Sequence, residues 1–165
     1  MSSLQTAYYK TPIGTAKIIG DTNGIQSISV LDDDIFTKEV TSSKDLANSI
    51  KECLTQLDEY FAGTRTQFDL KLNPQGTAFQ QKVWKELLNI PYNKVRTYLE
   101  QTKAIGDVKA IRAVATANGK NPIWIVIPCH RVIGSDGSLT GYAGGLWRKK
   151  WLLEHENPVK QQSLF

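Results

Sequence analysis

Thr97-Tyr98-Leu99-Glu100-Gln101-Thr102-Lys103-Ala104-Ile105-Gly106-Asp107-Val108-Lys109-Ala110-Ile111-Arg112-Ala113-Val114-Ala115-Thr116-Ala117 reads as two short helices joined by a tight turn. Thr97 and Glu100 stand at the spacing of a capping box, which predicts a helix running to about Ile105. Gly106 suits a helix C-cap and Asp107 the next N-cap, so a second helix is predicted from Val108 to about Ala117, with Gly119 after it. Two helices separated by so short a glycine-containing turn predict a helix-turn-helix. At 100° per residue, Val108, Ile111, Val114 and Ala115 share a face expected to pack inward. The opposite face carries Lys109, Ala110, Ala113, Thr116 and Ala117, nearly all small, with Arg112 on the flank. Such a face can approach another surface closely beside one long cation; it equally suits an alanine-rich helix of high propensity with a solvated arginine.

Downstream lies the densest chemistry in the chain, Ile125-Val126-Ile127-Pro128-Cys129-His130-Arg131-Val132. The apolar run predicts a buried strand ending at Pro128 and presenting a thiol and an imidazole at its mouth. Only the thiolate is a good nucleophile, and a neighbouring histidine or positive group raises its population. With two cysteines and two histidines in 165 residues, one of each side by side is a strong coincidence. Glu156, beside His155, supplies a carboxylate able to orient His130. A zinc reading is weak, since adjacent ligands reach one tetrahedral ion poorly and no C-x2-C or H-x3-H partner exists.

Upstream, Phe79, Val83, Leu87 and Leu88 mark an amphipathic helix closed by Ile90-Pro91. Residues 64–75 read as a linker. Before them, Leu46, Ile50, Cys53, Leu54, Leu57 and Phe61 recur at helical spacing with Gly63 as C-cap, which makes Cys53 a core residue. Three strands come first, around Ala7-Tyr8-Tyr9, Ala16–Ile19 and Ile25–Val30, turning at Pro12-Ile13-Gly14 and Thr22-Asn23-Gly24. The run Asp32-Asp33-Asp34 reads as a solvated loop. The expected fold is α+β. Residues 1–73 form a small antiparallel sheet with a packed helix, and residues 74–165 a mostly helical, winged-helix-like domain containing the helix-turn-helix.

The charge is divided unevenly. Residues 1–75 hold 7 Lys+Arg against 10 Asp+Glu, net −3; residues 76–165 hold 13 against 6, net +7. A basic half that also carries Cys129 points to a polyanionic partner. No apolar stretch approaches the roughly 18 residues of a bilayer span, and Met1–Gln5 lacks the features of a signal peptide. Two cysteines without a disulfide framework fit a reducing, cytoplasmic compartment.

The chain resembles the O6-alkylguanine-DNA alkyltransferase family over residues 74–157. The resemblance is carried by Gly76–Gln80, Val83-Trp84, Ile90-Pro91-Tyr92, Thr97-Tyr98, Ala110 through Val114, Asn121-Pro122, Ile127–Val132, Gly141–Gly145 and Trp151–Glu156. Pro-Cys-His-Arg with the upstream Asn-Pro is its most specific part. It implies direct-reversal repair of O6-alkylguanine in double-stranded DNA and leaves activity on O4-alkylthymine open. Cys129 would accept the alkyl group irreversibly, once per molecule, with the damaged base turned out of the stack. His130 would act as base through a bridging water, Glu156 would hold its imidazole, and Asn121 would order the cysteine loop. Arg112 would fill the vacated base stack, and Tyr98 would support the rotated phosphate and donate toward guanine N3. The carbonyls of Cys129 and Val132 would receive the guanine amino group and the Ala143 amide would face O6. Ala110 and Ala113, with Lys109 and Tyr142, would complete the DNA surface. An N-terminal ribonuclease H-like domain would support the other.

The resemblance further implies a monomer without metal or organic cofactor. Certain relatives carry zinc in the N-terminal half, which here has one cysteine and no histidine. Asn93 stands where glycine is frequent and must tolerate positive φ. Ala143 replaces a common serine without loss of the amide. Trp124 stands near the expected pocket wall, where some relatives have proline, implying a limit on bulky alkyl groups. Taken without the resemblance, the residues also fit a DNA-binding module with a structural cysteine, or a turnover hydrolase using Cys129, His130 and Glu156.

Overall fold

The computed structural model describes residues 3–32 and 44–158. Asp33 and Asp34 of the acidic run lie outside them. The chain forms two compact units, one of residues up to Gln75 together with Pro122–Trp124, the other of Gly76–Asn121 together with the chain from Ile125 onward.

In the first unit, β1 (Gln5–Thr11), β2 (Gly14–Asp21) and β3 (Gly24–Leu31) form an antiparallel sheet in the order β1-β2-β3. Tight turns set the register: Thr11 pairs with Gly14 and Asp21 with Gly24. Alternation buries Ala7, Ala16, Ile18 and Ile28, and α1 (Asn48–Phe61) contributes Ile50, Cys53, Leu57 and Tyr60 to the same core. Cys53 is fully buried, and burial pushes its thiol up to about 12, which makes it inert at neutral pH.

Two segments complete this sheet against expectation. The stretch read as a linker returns to pair with β3: Ile25 N donates to Lys71 O at 2.8 Å and Asn73 N to Ile25 O at 2.7 Å. Gly24, at φ +126°, is required there, because a Cβ would lie 2.7 Å from Lys71 O. From far along the sequence, Ile123 bridges Ile28, with Ile28 N donating to Pro122 O and Trp124 N to Ile28 O.

The second unit contains α2 (Ala78–Leu87), β4 (Arg96–Thr97), α3 (Tyr98–Ile105), a 3-10 turn at Val108–Ala110 and α4 (Ile111–Gly119). A 3-10 turn at Cys129–Arg131, β5 (Val132–Ile133) and α5 (Leu146–Glu156) follow. α2 opens with a capping box of Thr77 and Gln80 and buries Val83, Trp84 and Leu87, while Phe79 and Leu88 stay exposed. The Thr97–Glu100 box forms in both directions, at 2.9 and 3.1 Å. Gly106 caps α3 at φ +107°, and Asp107 accepts from Lys109 N.

Sequence and structure part at two places here. The second helix starts as a 3-10 turn and becomes α-helical only at Ile111. Its buried residues are Val114, Ala117 and Asn118, whereas Val108 and Ile111 are 52% and 37% exposed and Ala115 is exposed too. At 100° per residue Val114, Ala117 and Asn118 lie within about 100° of arc on α4, and that arc, not the one centred on Ile111 and Ala115, faces the core. The helices are then locked by buried polar bonds. Gln101 Nε2 donates to Asn118 Oδ1 at 2.8 Å, Asn118 Nδ2 to Gln101 Oε1 at 2.7 Å, and Trp84 Nε1 to Ala117 O at 2.8 Å. The second parting is at Ile125–Ile127, which is a turn and not a strand, with Ile125 at φ +70°. All three residues are buried; an apolar run records burial, which a strand and a packed turn satisfy equally.

Candidate active site

Pro128 ends that buried turn, and Cys129 opens the 3-10 turn Cys129–Arg131. Asn121 holds the loop from behind: its Nδ2 donates to Ile127 O at 2.7 Å and lies 3.3 Å from Cys129 Sγ. The next residue, His130, is fully buried, and its Nε2 stands 2.7 Å from Glu156 Oε2 at the end of α5. Arg131 grips the same carboxylate, Nε to Oε1 at 2.8 Å and Nη2 to Oε2 at 3.0 Å, while its Nη1 donates to Ile90 O. Asn93, at φ +68° as its glycine-like position requires, turns its amide toward Glu156 Oε1 at 3.5 Å. One carboxylate thus organises two consecutive residues of the Cys-His-Arg turn.

The electrostatics fix protonation states. Burial would raise the Glu156 carboxyl, but His130 and Arg131 overcome it and hold the group well below the usual carboxylate range. Burial outweighs the Glu156 charge at His130 and lowers its value, so the imidazole is neutral at neutral pH. An ionised Glu156 accepts the Nε2 proton, which leaves Nδ1 as the basic nitrogen. His130 Nδ1 is buried and meets no hydrogen-bond partner among the described residues.

Cys129 departs from expectation. Burial raises its thiol, and the opposing influences are the Asn121 bond and the charge of Lys149, not a histidine cation. The resting sulfur is a protonated thiol that has to release its proton in order to react. Lys149, which sequence reasoning missed, is fully buried on α5 and donates from Nζ to Thr140 O at 2.8 Å. Its signal was present: Lys149, Leu152 and Glu156 fall on one stripe of that helix at i, i+3 and i+7.

Beside this cluster, α3, α4 and the 140–143 loop line an open cleft of about 540 Å³. Tyr98, Ile111, Arg112, Ala115, Gly119, Thr140, Gly141, Tyr142 and Ala143 line it. The structure therefore brings Tyr98, Arg112, Tyr142 and Ala143 to one cavity. Lys109, Ala110 and Ala113 do not line it, although Lys109 and Ala113 are exposed. Val132 is buried in β5, paired with Arg96. Tyr98 donates its hydroxyl to Thr140 O at 3.1 Å. Burial chiefly, with the Cys129 charge adding, raises its phenol above the ordinary value against the Thr140 bond. Trp124 is not on the cleft: its ring is tilted against Phe61 at 6.4 Å inside the first unit, 6% exposed. The expected limit on alkyl size does not come from that residue. Among the described residues no cluster of three or more His, Cys, Asp or Glu is placed to hold a metal, and no helix is long and apolar enough to cross a membrane.

The chain resembles known proteins in sequence and fold. The family profile described as the DNA binding domain of 6-O-methylguanine DNA methyltransferase matches residues 78–158, and that of its ribonuclease-like domain matches residues 4–74. A methylated-DNA--protein-cysteine methyltransferase of Methanosarcina acetivorans is 45% identical over 150 residues, covering 91% of this chain and 96% of the relative. The crystal structure of Mycobacterium tuberculosis OGT in complex with DNA superposes with a TM-score of 0.81 at 42% identity, covering 94% of this chain and 92% of that one. An O6-methylguanine DNA methyltransferase from Methanococcus jannaschii aligns with a TM-score of 0.67 at 27% identity, covering 91% and 92%. The chain belongs to the 6-O-methylguanine DNA methyltransferase family.

Proposed function

We propose that this protein repairs alkylated DNA by direct reversal, moving the alkyl group from O6 of guanine onto Cys129. The observation that carries the reading is the Asn121–Cys129 and His130–Glu156 constellation beside a cleft lined by Tyr98 and Arg112. The Cys129 proton leaves through a water to His130 Nδ1, and the sulfur attacks the alkyl carbon. The carbon–O6 bond breaks, its electron pair remains on O6, and a thioether forms. Thiols do not cleave thioethers, so each molecule acts once.

The target carbon is inaccessible inside a duplex, so the base must be extruded at a cost of a few kcal/mol. Arg112, exposed on α4, fills the gap, and Ala110, Ala113 and Lys109 let the helix approach the minor groove. Tyr98 exchanges its Thr140 bond for guanine N3, the Ala143 amide faces O6, Tyr142 walls the cleft, and the carbonyls of Cys129 and Val132 receive the amino group. In this reading residues 74–165 bind DNA and accept the alkyl group, while residues 1–73 support them. The protein acts as a monomer in the reducing cytoplasm, without metal or organic cofactor.

The test is a peptide map after incubation with O6-methylguanine duplex. One methyl group on the Cys129 peptide, at one equivalent per protein, is the expected result. Unmodified protein with intact lesions refutes the reading, and repeated turnover without a mark identifies a hydrolase instead.

A further inference from the structure

Lys149 is the one lysine among the buried charged residues of the described chain. Among the described residues no carboxylate pairs with it; its polar contact is the Thr140 carbonyl, and its Nζ lies 5.7 Å from the centre of the Tyr98 ring. A buried cation without a counter-charge costs several kcal/mol.

The same carbonyl accepts the Tyr98 hydroxyl, so Thr140 O joins Lys149 on α5 to Tyr98 on α3. Thr140 also begins the Gly141–Ala143 wall of the cleft. We infer that Lys149 is a positioning residue, whose sealed ammonium holds Thr140 and Tyr98 in place and serves as counter-charge to the Cys129 sulfur when it gives up its proton. The inference rests on Cys129 being the nucleophile and deepens that assignment.

The titratable and charged groups around it are Cys129 and His130 on the 3-10 turn and Tyr98 on α3, with Glu156 and Arg131 acting on His130. Burial lowers Lys149 to about 8, and the Cys129 charge opposes that fall. His130 is neutral, which leaves Lys149 as the cation acting directly on the thiolate. The coupling is reciprocal: the thiolate favours the ammonium as much as the ammonium favours the thiolate.

The experiment measures the rate of Cys129 carboxamidomethylation by iodoacetamide against pH, read on the Cys129 peptide, in the wild type, Lys149→Met and Lys149→Arg. At about pH 7, where Lys149 is still an ammonium, Lys149→Met should react roughly tenfold more slowly, the loss expected when a counter-charge worth about one pKa unit is removed. Lys149→Arg, which keeps the charge, should stay near the wild type. Equal rates at about pH 7 in the wild type and Lys149→Met, or in the two variants, overturn the inference. If Lys149→Met does not fold, the Lys149 13Cε titration decides the matter. It should rise in Cys129→Asp, which puts a fixed anion where the thiolate forms, and an unchanged midpoint overturns the inference. Neither assay uses DNA, so a wild type that transfers no methyl group would refute the proposed function while leaving the Lys149–Cys129 pair separately measurable.

Discussion

Gln101 and Asn118 bond each other twice through their side-chain amides, at 2.8 and 2.7 Å, and both are buried. The pair fixes α3 against α4 and so sets how Tyr98 and Arg112 face one cleft. Replacing one member strands the other's polar atoms. Gln101→Leu or Asn118→Ala should each cost about 1–3 kcal/mol of stability, measured by urea unfolding. A double replacement by leucine should recover part of that loss, and additive losses would show that the two bonds do not act as a unit.

The carboxylate of Glu156 is shared by His130 and Arg131, all three buried. Breaking such a group by removing one charge costs roughly 3–5 kcal/mol. Glu156→Gln should show that scale of loss in chemical denaturation. Glu154→Gln, whose pair with Lys150 is exposed and 3.8 Å long, should stay within about 0.5 kcal/mol.

Acid should destabilise the protein for two reasons of the same sign. The His130 value is depressed in the folded state, so the unfolded chain takes up a proton first, near pH 6.5. Stability therefore falls as the pH drops through that value. Glu156 is also depressed, so its contribution is complete above the unfolded carboxylate value of about 4.3 and is lost below it. Thermal unfolding should give a lower Tm at about pH 5 than at about pH 8, and His130→Asn should flatten the upper part of that decline. A constant Tm across this interval would contradict the buried neutral imidazole.

Arg112 is exposed and lines the cleft without holding the core. Arg112→Ala should leave Tm unchanged and slow methyl transfer from duplex O6-methylguanine about tenfold or more, as expected if about 1.4 kcal/mol of base-extrusion support is lost. Reaction with the free modified base should be almost unaffected. Equal losses on both substrates would remove Arg112 from extrusion.

The excess of positive charge in residues 76–165 gives a further prediction. Duplex affinity should fall with added salt by roughly 0.9 log units per log unit for each phosphate neutralised. Binding without a salt slope would separate that charge from DNA recognition.

The legible parts of the fold were those decided by local chemistry. The Thr97–Glu100 box, the left-handed cap at Gly106, the turn at Asn23-Gly24 and the core position of Cys53 each depend on residues close in sequence. Less legible was whatever depended on distant partners. Leu72 and Ile123 reach β3 from separate parts of the chain, and neither carries a strand-like alternation long enough to announce it. The inward face of α4 is less legible because small residues cover most of the helix, so Ala117 and Asn118 pack inward where Ile111 and Ala115 are expected to. At the candidate site, Cys129, His130, Glu156 and Asn121 were visible as chemical types. Lys149 is legible only through the helical stripe it shares with Leu152 and Glu156, because a lysine is ordinarily solvated.

Because Pro122–Trp124 belong to the first unit, that unit is discontinuous in sequence. Cutting the chain between Gln75 and Gly76 does not yield two self-sufficient fragments. The N-terminal piece would expose the Ile28 amide and carbonyl on an uncovered strand edge. The C-terminal piece would carry Ile123 and Trp124 stripped of their hydrophobic seat, only a few residues before the reactive thiol.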